Sequence, residues 1–280
     1  MIITNKHHLP DAMFKALSHN RGVPRLDRIS VTELISPVQQ RQLKIKHWDE
    51  IEEDCSQRLW ALLGTAAHSV FEAQGGDKSE HYMEYTIDGI TITGTADNIV
   101  GDELHDYKIT SVYSCIKGIK PEWEAQANLY RFLYLTPKTG LLKKLFIYCV
   151  LRDWQEGKSH AGDNYPPIPF VALEVPLWSL EDTEAFIRAK IKEHTSGVAY
   201  ECSSEERWES ETKWAVTKKG NKRADKLFDN FLAAKAHANI KGKEFEITER
   251  IGESRRCKSY CQVSLFCPQW KKIQEAENGD

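Results

Sequence analysis

Residues 94–130 read GTADNIVGDELHDYKITSVYSCIKGIKPEWEAQANLY. Two strand-like runs, Ile90–Val100 and Glu103–Thr110, flank Gly101-Asp102. A two-residue connection with glycine first predicts a β-hairpin. That register sets Asp97 opposite Asp106. Facing carboxylates repel across a hairpin. A divalent cation turns the repulsion into coordination, because hard cations take oxygen ligands. Lys108 stands two residues beyond Asp106 and therefore shares its strand face. One hairpin face is expected to carry Asp97, Asp106 and Lys108, a set suited to phosphodiester hydrolysis. Taken alone, the same residues also describe a solvated hairpin face.

The flanks decide between these readings. Upstream, residues 55–74 (CSQRLWALLGTAAHSVFEAQ) place Leu59, Leu62, Leu63, Ala66, Val70 and Phe71 at helical spacing. Gly64, His68 and Glu72 fall four apart on one stripe of that helix. Glycine within a helix costs about 1 kcal/mol against alanine, so a close backbone approach is expected at Gly64. A lone histidine is usually structural; beside two strand carboxylates His68 becomes a candidate third ligand. Downstream, Pro121–Leu135 predicts a helix with proline in its first turn. Gln126 and Tyr130 share one face of it. Trp123, Ala127, Tyr130 and Tyr134 form its packing stripe, so Tyr130 reads equally as core.

In order, the chain carries Gly64-x3-His68, Asp97, Asp106-Tyr107-Lys108 and Gln126-x3-Tyr130. This order resembles the RecB-type branch of the PD-(D/E)XK nuclease superfamily. That branch includes the nuclease domains of RecB and AddB, CRISPR-associated RecB-like exonucleases and small phage nucleases. The likeness spans residues 31–151. It implies a restriction-endonuclease-like α/β core: a central mixed β-sheet flanked by helices. It further implies that His68, Asp97 and Asp106 bind Mg²⁺ or Mn²⁺, with the Tyr107 carbonyl as a further ligand. Lys108 would orient or activate the attacking water. Gln126 and Tyr130 would support the site, and Glu72 would stand behind it. Iron–sulfur members of the branch carry a cysteine ahead of the histidine motif, usually before proline. Here Ser36 precedes Pro37 at the comparable place.

The 280 residues are 41% hydrophobic and 28% charged, a globular composition that suits one main domain with a small appendage. No apolar run approaches the ~18 residues of a membrane span. The first residues lack the apolar core of a signal peptide, so a cytoplasmic location in a prokaryotic host is expected. Seven cysteines then read as thiols or metal ligands, not as a disulfide frame. The net charge of −3 conceals an asymmetry: residues 213–258 hold 13 Lys and Arg against 6 Asp and Glu. Such a segment either tracks a phosphate backbone or forms a solvated surface.

Other expected elements are a helix over 31–46, a three-strand meander over 84–109 turning first at Asp88-Gly89, and strands over 143–152 and 170–175. A long loop carrying His160 and Asp163 spans 153–169, and Ser179 caps a helix over 179–195. Near Tyr200 the composition turns polar, then basic, which divides a core of residues 1–199 from a segment of 200–280. Helical periodicity recurs over 227–237. Cys257, Cys261 and Cys267 form a C-x3-C-x5-C run ending in Cys-Pro, a density that points to a bound metal. Cys202 is the favoured fourth ligand and Cys55 the alternative. Cys115 and Cys149 read as core. The resemblance and the terminal Cys-Pro favour [4Fe-4S]; four thiolates alone suit Zn²⁺ equally.

The leading expectation is a divalent-metal-dependent DNA nuclease, an exonuclease acting on single strands or duplex ends. Recombination or CRISPR-adaptation proteins are its expected partners. The alternatives are an endonuclease of the same fold, a catalytically lapsed DNA-binding module, and an interaction domain organised by the cysteines.

Overall fold

Residues 1–19, 22–75, 78–135, 140–160 and 164–278 are described by the structure, a computed structural model. The chain divides into two units, Met1–Ala199 and Tyr200–Asp280. In the first, β1 (Ile2–Thr4) is followed by α1 (Asp11–Leu17), β2 (Arg28–Ser30), α2 (Val31–Leu34), α3 (Val38–Lys46) and β3 (Glu52–Asp54), which pairs in parallel with β1. Then come α4 (Leu59–Glu72), β4 (Ser79–Ile87), β5 (Ile90–Val100), β6 (Glu103–Thr110), α5 (Val112–Cys115), α6 (Pro121–Leu135), β7 (Lys144–Leu151), α7 (Glu156–Ser159), β8 (Phe170–Glu174) and α8 (Leu180–Thr195). The expected mixed sheet flanked by helices is present. Six strands run β2-β5-β6-β7-β8, with β4 also on β5; β6 and β7 are parallel and β7 and β8 antiparallel.

The sheet forks at β5. Along one edge β4 pairs with β5 from Ile90 to Asn98. Along the other, β2 takes Thr91–Thr93 and β6 takes Asn98–Val100. Gly94, Thr95, Ala96 and Asp97 therefore face a gap between β2 and β6. The expected hairpin register is the observed one, but its ladder stops at Asn98↔His105, one step short of the two aspartates. Asp97 and Asp106 are thus not ladder partners. Two carboxylates held directly opposite would repel, and the diverging strands relieve this.

Beyond the fork, successive residues of β6 turn to opposite helices. Tyr107 packs on Phe71 of α4 with ring centres 4.8 Å apart. Lys108 bonds Gln126 of α6 at 3.1 Å. The main core lies on the α6 side. It joins Ile92 and Ala96 of β5, Leu104 of β6 and Leu145, Ile147 and Cys149 of β7 to Leu129 and Leu133 of α6 and Ile187 of α8. Cys115 and Cys149 are both in it.

Several expectations need correction. The helix over 31–46 breaks in two, because Pro37 disfavours a helical residue before it and lacks an N–H. Its first piece is closed by a capping box between Ser30 and Glu33. The meander begins at Ser79, five residues earlier than read. Its first turn has positive φ at both Asp88 (51°) and Gly89 (78°), as a tight mirror-image turn requires. The segment preceding α4 is a 3-10 turn, Cys55–Arg58. The apolar face of α4 is not buried: Leu63 is 45% and Val70 63% exposed. Nor does Gly64 meet another backbone, since a Cβ there would touch nothing within 4 Å. The loop over 153–169 holds α7, and Asp163 lies outside the described residues. Ser179 caps α8 as read, accepting the Asp182 N–H at 2.9 Å.

In the second unit β9 (Lys213–Lys218), β10 (Lys226–Phe228) and β11 (Phe245–Arg250) form an antiparallel sheet ordered β10-β9-β11. Helix α9 (Phe231–Lys241) starts four residues later than its periodicity suggested, because Asn230 supplies the cap through the Ala233 N–H. Then follow α10 (Arg255–Ser259) and α11 (Pro268–Asn278). No helix among the described residues is long and apolar enough to cross a membrane.

Candidate metal centre

At the fork the Asp97 side chain replaces a missing ladder partner. Its Oδ2 accepts the Tyr107 N–H at 2.7 Å. Its Oδ1 lies 3.3 Å from His68 Nδ1. His68 Nε2 lies 3.0 Å from the Tyr107 carbonyl oxygen. A carbonyl only accepts, so Nε2 carries a proton and Nδ1 is the nitrogen turned toward the carboxylates. The neighbouring Asp97 carboxylate outweighs partial burial and holds the His68 imidazole above its usual pKa.

Glu80, which the sequence reading missed, completes this arm. Ser79 pairs with Asn98 and His81 with Ala96, leaving Glu80 and Asp97 unpaired between them. Glu80 has φ 48°, a left-handed conformation that costs a non-glycine residue about 1–3 kcal/mol and clusters at functional sites. The kink brings Glu80 Oε1 to 3.8 Å from His68 Nδ1. Burial first, and the Asp97 charge second, push the Glu80 carboxyl above its usual range; the exposed Glu72 on α4 adds to this. Donor atoms of His68, Glu80 and Asp97 all lie within 4.8 Å of one another, the one such group of three among the described residues. The signal for Glu80 was present: continuing the register of the Asp88-Gly89 turn places it opposite Asp97.

A second arm reaches in from α6. Asp106 is buried, and Lys108 Nζ sits 3.0 Å from its Oδ1 and 2.8 Å from its Oδ2. The contact to Oδ2 is an ion pair without hydrogen-bond geometry, so that buried oxygen has no hydrogen-bond partner. Burial drives the Asp106 carboxyl upward and the Lys108 ammonium opposes it. Lys108 also donates to Gln126 Oε1 at 3.1 Å, and Gln126 Nε2 donates to the Tyr130 hydroxyl at 2.9 Å. Tyr130 is buried, which raises its pKa, so it belongs to both core and relay. A Cβ on Gly94 would stand 2.7 Å from the Tyr130 ring and 3.2 Å from Leu133. The missing side chain at Gly94 is what admits the ring.

The expected ligand set of His68, Asp97, Asp106 and the Tyr107 carbonyl is therefore divided. His68 and Asp97 meet Glu80, the Tyr107 carbonyl is engaged by His68 Nε2, and Asp106 is held by Lys108. The residues suit a divalent cation on two counts. Three donors, two of them carboxylates, converge at one point, and the buried Asp106 Oδ2 keeps acceptor capacity.

The second unit carries Cys202, Cys257, Cys261 and Cys267, no three of which bring their sulfurs within 4.8 Å of one another among the described residues. Burial first, then the Glu206 carboxylate and, after it, Cys267, Cys257 and Cys261 raise the Cys202 thiol to about 12. Burial and the charges of Cys261 and Cys267 raise Cys257 to about 11. The Cys202 N–H donates to Gln269 Oε1 at 2.9 Å, and Gln269 Nε2 returns a bond to the Cys202 carbonyl at 2.9 Å. The Trp270 N–H donates to Cys267 Sγ at 3.4 Å. Cys55 belongs to the first unit, where its buried thiol donates to Asn5 Oδ1 at 3.4 Å.

No family model matches the chain, and no curated protein matches it. Among solved structures, the crystal structure of SSO0001 aligns with a TM-score of 0.53 at 16% identity, over 91% of this chain and 93% of that one. The likeness is one of fold. A structure from Eubacterium rectale, described as a "Putative exonuclease", aligns with a TM-score of 0.31 at 12% identity over 55% of each chain.

Two outcomes follow from this geometry. Gly94→Ala should destabilise the protein by about 1–3 kcal/mol through overpacking against Tyr130, read as a lower denaturation midpoint in urea; an unchanged midpoint would show that the ring does not need the gap. The His68–Asp97 pair should make metal-free stability pH-dependent. Because the folded-state pKa of His68 is raised, its contribution is complete below about pH 6.5 and disappears as pH rises through the folded value. Urea titrations in EDTA between pH 5 and 8 should show this slope in the wild type, and Asp97→Asn should flatten it.

Proposed function

We propose that the chain is a divalent-metal-dependent nuclease of the restriction-endonuclease-like, RecB-type class, acting on DNA as an exonuclease. The observation that carries this reading is the convergence of His68, Glu80 and Asp97 at the fork, beside a buried Asp106–Lys108 pair. Bare carboxylates in this density are mutually repulsive unless a cation joins them.

His68 Nδ1, Asp97 and Glu80 would hold Mg²⁺ or Mn²⁺, with Asp106 Oδ2 available as a further oxygen donor. A cation so held would neutralise charge on a phosphate and acidify a bound water. The remaining work falls to the chain. The Tyr107 carbonyl accepts from Nε2–H, which fixes the tautomer and aims Nδ1 at the carboxylates. Asp97 anchors its own orientation on the Tyr107 amide. Lys108 is held from two sides, by Asp106 and Gln126, so its ammonium stands ready to orient a water and to offset phosphate charge. Tyr130 holds Gln126 in place. The donor mixture of one imidazole with carboxylates suits Mn²⁺ at least as well as Mg²⁺.

The cysteine cluster reads as a structural site. Cys202, Cys257, Cys261 and Cys267 would hold a [4Fe-4S] cluster, with Zn²⁺ as the other thiolate-bound occupant. The Trp270 N–H on Cys267 Sγ supplies the kind of bond that surrounds ligating sulfur.

The direct assay incubates end-labelled and circular DNA with Mg²⁺, Mn²⁺ or EDTA. Cleavage should need metal. Asp106→Ala, Asp97→Ala and Lys108→Ala should each lower it by about 10²–10⁴-fold, whereas Glu80→Gln should chiefly raise the metal concentration required. Wild-type rates in Asp106→Ala would refute the assignment; digestion of circular DNA would replace exonuclease by endonuclease. For the second site, protein purified without oxygen should carry iron and sulfide, and Cys202→Ala should lose them. Zinc in their place would identify the other occupant, and four freely alkylated thiols in the native protein would overturn the site.

A further inference from the structure

Helix α4 carries more than His68 on the stripe that meets the fork. Trp60, Gly64 and His68 recur at intervals of four and so face the same way. Two turns separate Trp60 from His68, about 12 Å along the axis. Trp60 is 64% exposed, unusual for so large an apolar group. Gly64 lies between them, and nothing stands within 4 Å of where its side chain would be. The glycine is thus neither a close packing contact nor a turn, and it keeps the surface between Trp60 and His68 low at a cost to the helix.

Trp60 is not alone. The Arg152 guanidinium stacks on its ring, 4.2 Å from the ring centre. Arg152 is exposed and has no carboxylate partner among the described residues. Its backbone is fixed to the site: the Arg152 N–H donates to the Thr110 carbonyl at 2.9 Å, and the next residue, Asp153, accepts the Val112 N–H at 2.7 Å. Thr110 ends β6, two residues beyond Lys108. Arg152 directly follows β7, which is parallel to β6. The pair therefore sits at the carboxyl ends of two parallel strands, where open α/β sheets place their ligands.

We infer that Trp60 and Arg152 form a stacking platform for a base of single-stranded nucleic acid, and that Gly64 is the open lane from this platform to the metal centre. Single-strand binders combine an aromatic face for a base with a cation for the backbone. One face of Trp60 is covered by Arg152, and its exposure leaves the other for a base. The span of about 12 Å corresponds to a few nucleotides. The substrate class is thereby narrowed to strands with unpaired bases near the cleaved bond, since a base held in a duplex has no free face to offer. This inference rests on the nuclease reading for the meaning of the lane, but its binding step requires no chemistry.

The test measures binding of a short labelled oligothymidylate by anisotropy in EDTA. Trp60→Ala should weaken binding by roughly five- to a hundredfold, the range for loss of one stacked base, with Trp60→Phe retaining most of it. Gly64→Leu, whose side chain enters open space, should weaken binding without lowering thermal stability. Val70→Ala, exposed on the same helix off the stripe, should bind as wild type. An abasic site moved through the oligonucleotide should cost affinity at one position in the wild type and at none in Trp60→Ala. Wild-type affinity in Trp60→Ala, or an equal loss for blunt duplex, would overturn the platform even if cleavage proceeds. A position-specific abasic effect in a protein that never cleaves DNA would uphold the platform and remove the nuclease reading instead.

Discussion

The bond from the Tyr107 amide to the Asp97 carboxylate governs the rest of the first unit. At that point β5 and β6 have stopped pairing, and a backbone N–H beside a fork needs a partner. Asp97 supplies it with one oxygen and offers the other to His68. The same carboxylate thus closes a structural gap and forms part of a donor set. Such an interaction is a charge-assisted hydrogen bond, shorter and stronger than a neutral one. Loss of it would open the fork and unseat the site together, so stability and donor geometry are not separable at this residue.

The fork also explains how one strand serves two sides. Tyr107 and Lys108 are adjacent, so the pleat sends them to opposite faces of the sheet. Tyr107 carries its ring to α4 and its carbonyl to His68, while Lys108 reaches α6 and Gln126. Where a continuous sheet would separate these faces, the gap at Gly94–Asp97 lets their polar ends approach one site. Gly94 has a matching role on the α6 side, where its missing Cβ makes room for Tyr130.

Much of this was legible in the amino-acid order. The hairpin register, Gln126 and Tyr130 on one helix face and the Ser179 cap all rest on local chemistry, which sequence records well. Other features are less legible. The helix over 31–46 was carried through Pro37, although that proline's effect on its predecessor is local. On α4 the periodicity identifies an apolar stripe and cannot say whether anything covers it, and Leu63 and Val70 are exposed. Glu80 was missed because strand β4 was started five residues late, which removed it from the register that sets it opposite Asp97. Its left-handed backbone has no signature in residue type, since glutamate is a poor candidate for that conformation.

The clamp between Cys202 and Gln269 closes a chain segment of 67 residues. The entropy of closing a flexible segment grows only with the logarithm of its length, so that doubling it costs about 0.6 kcal/mol more. A tie across so long a stretch is therefore nearly indifferent to what lies within it. The β-sheet and helix enclosed between Cys202 and the last three cysteines could be lengthened, shortened or exchanged for another small module while the closure kept almost all its effect. The Cys202–Gln269 pair then acts as a fastening whose contents are free to diversify.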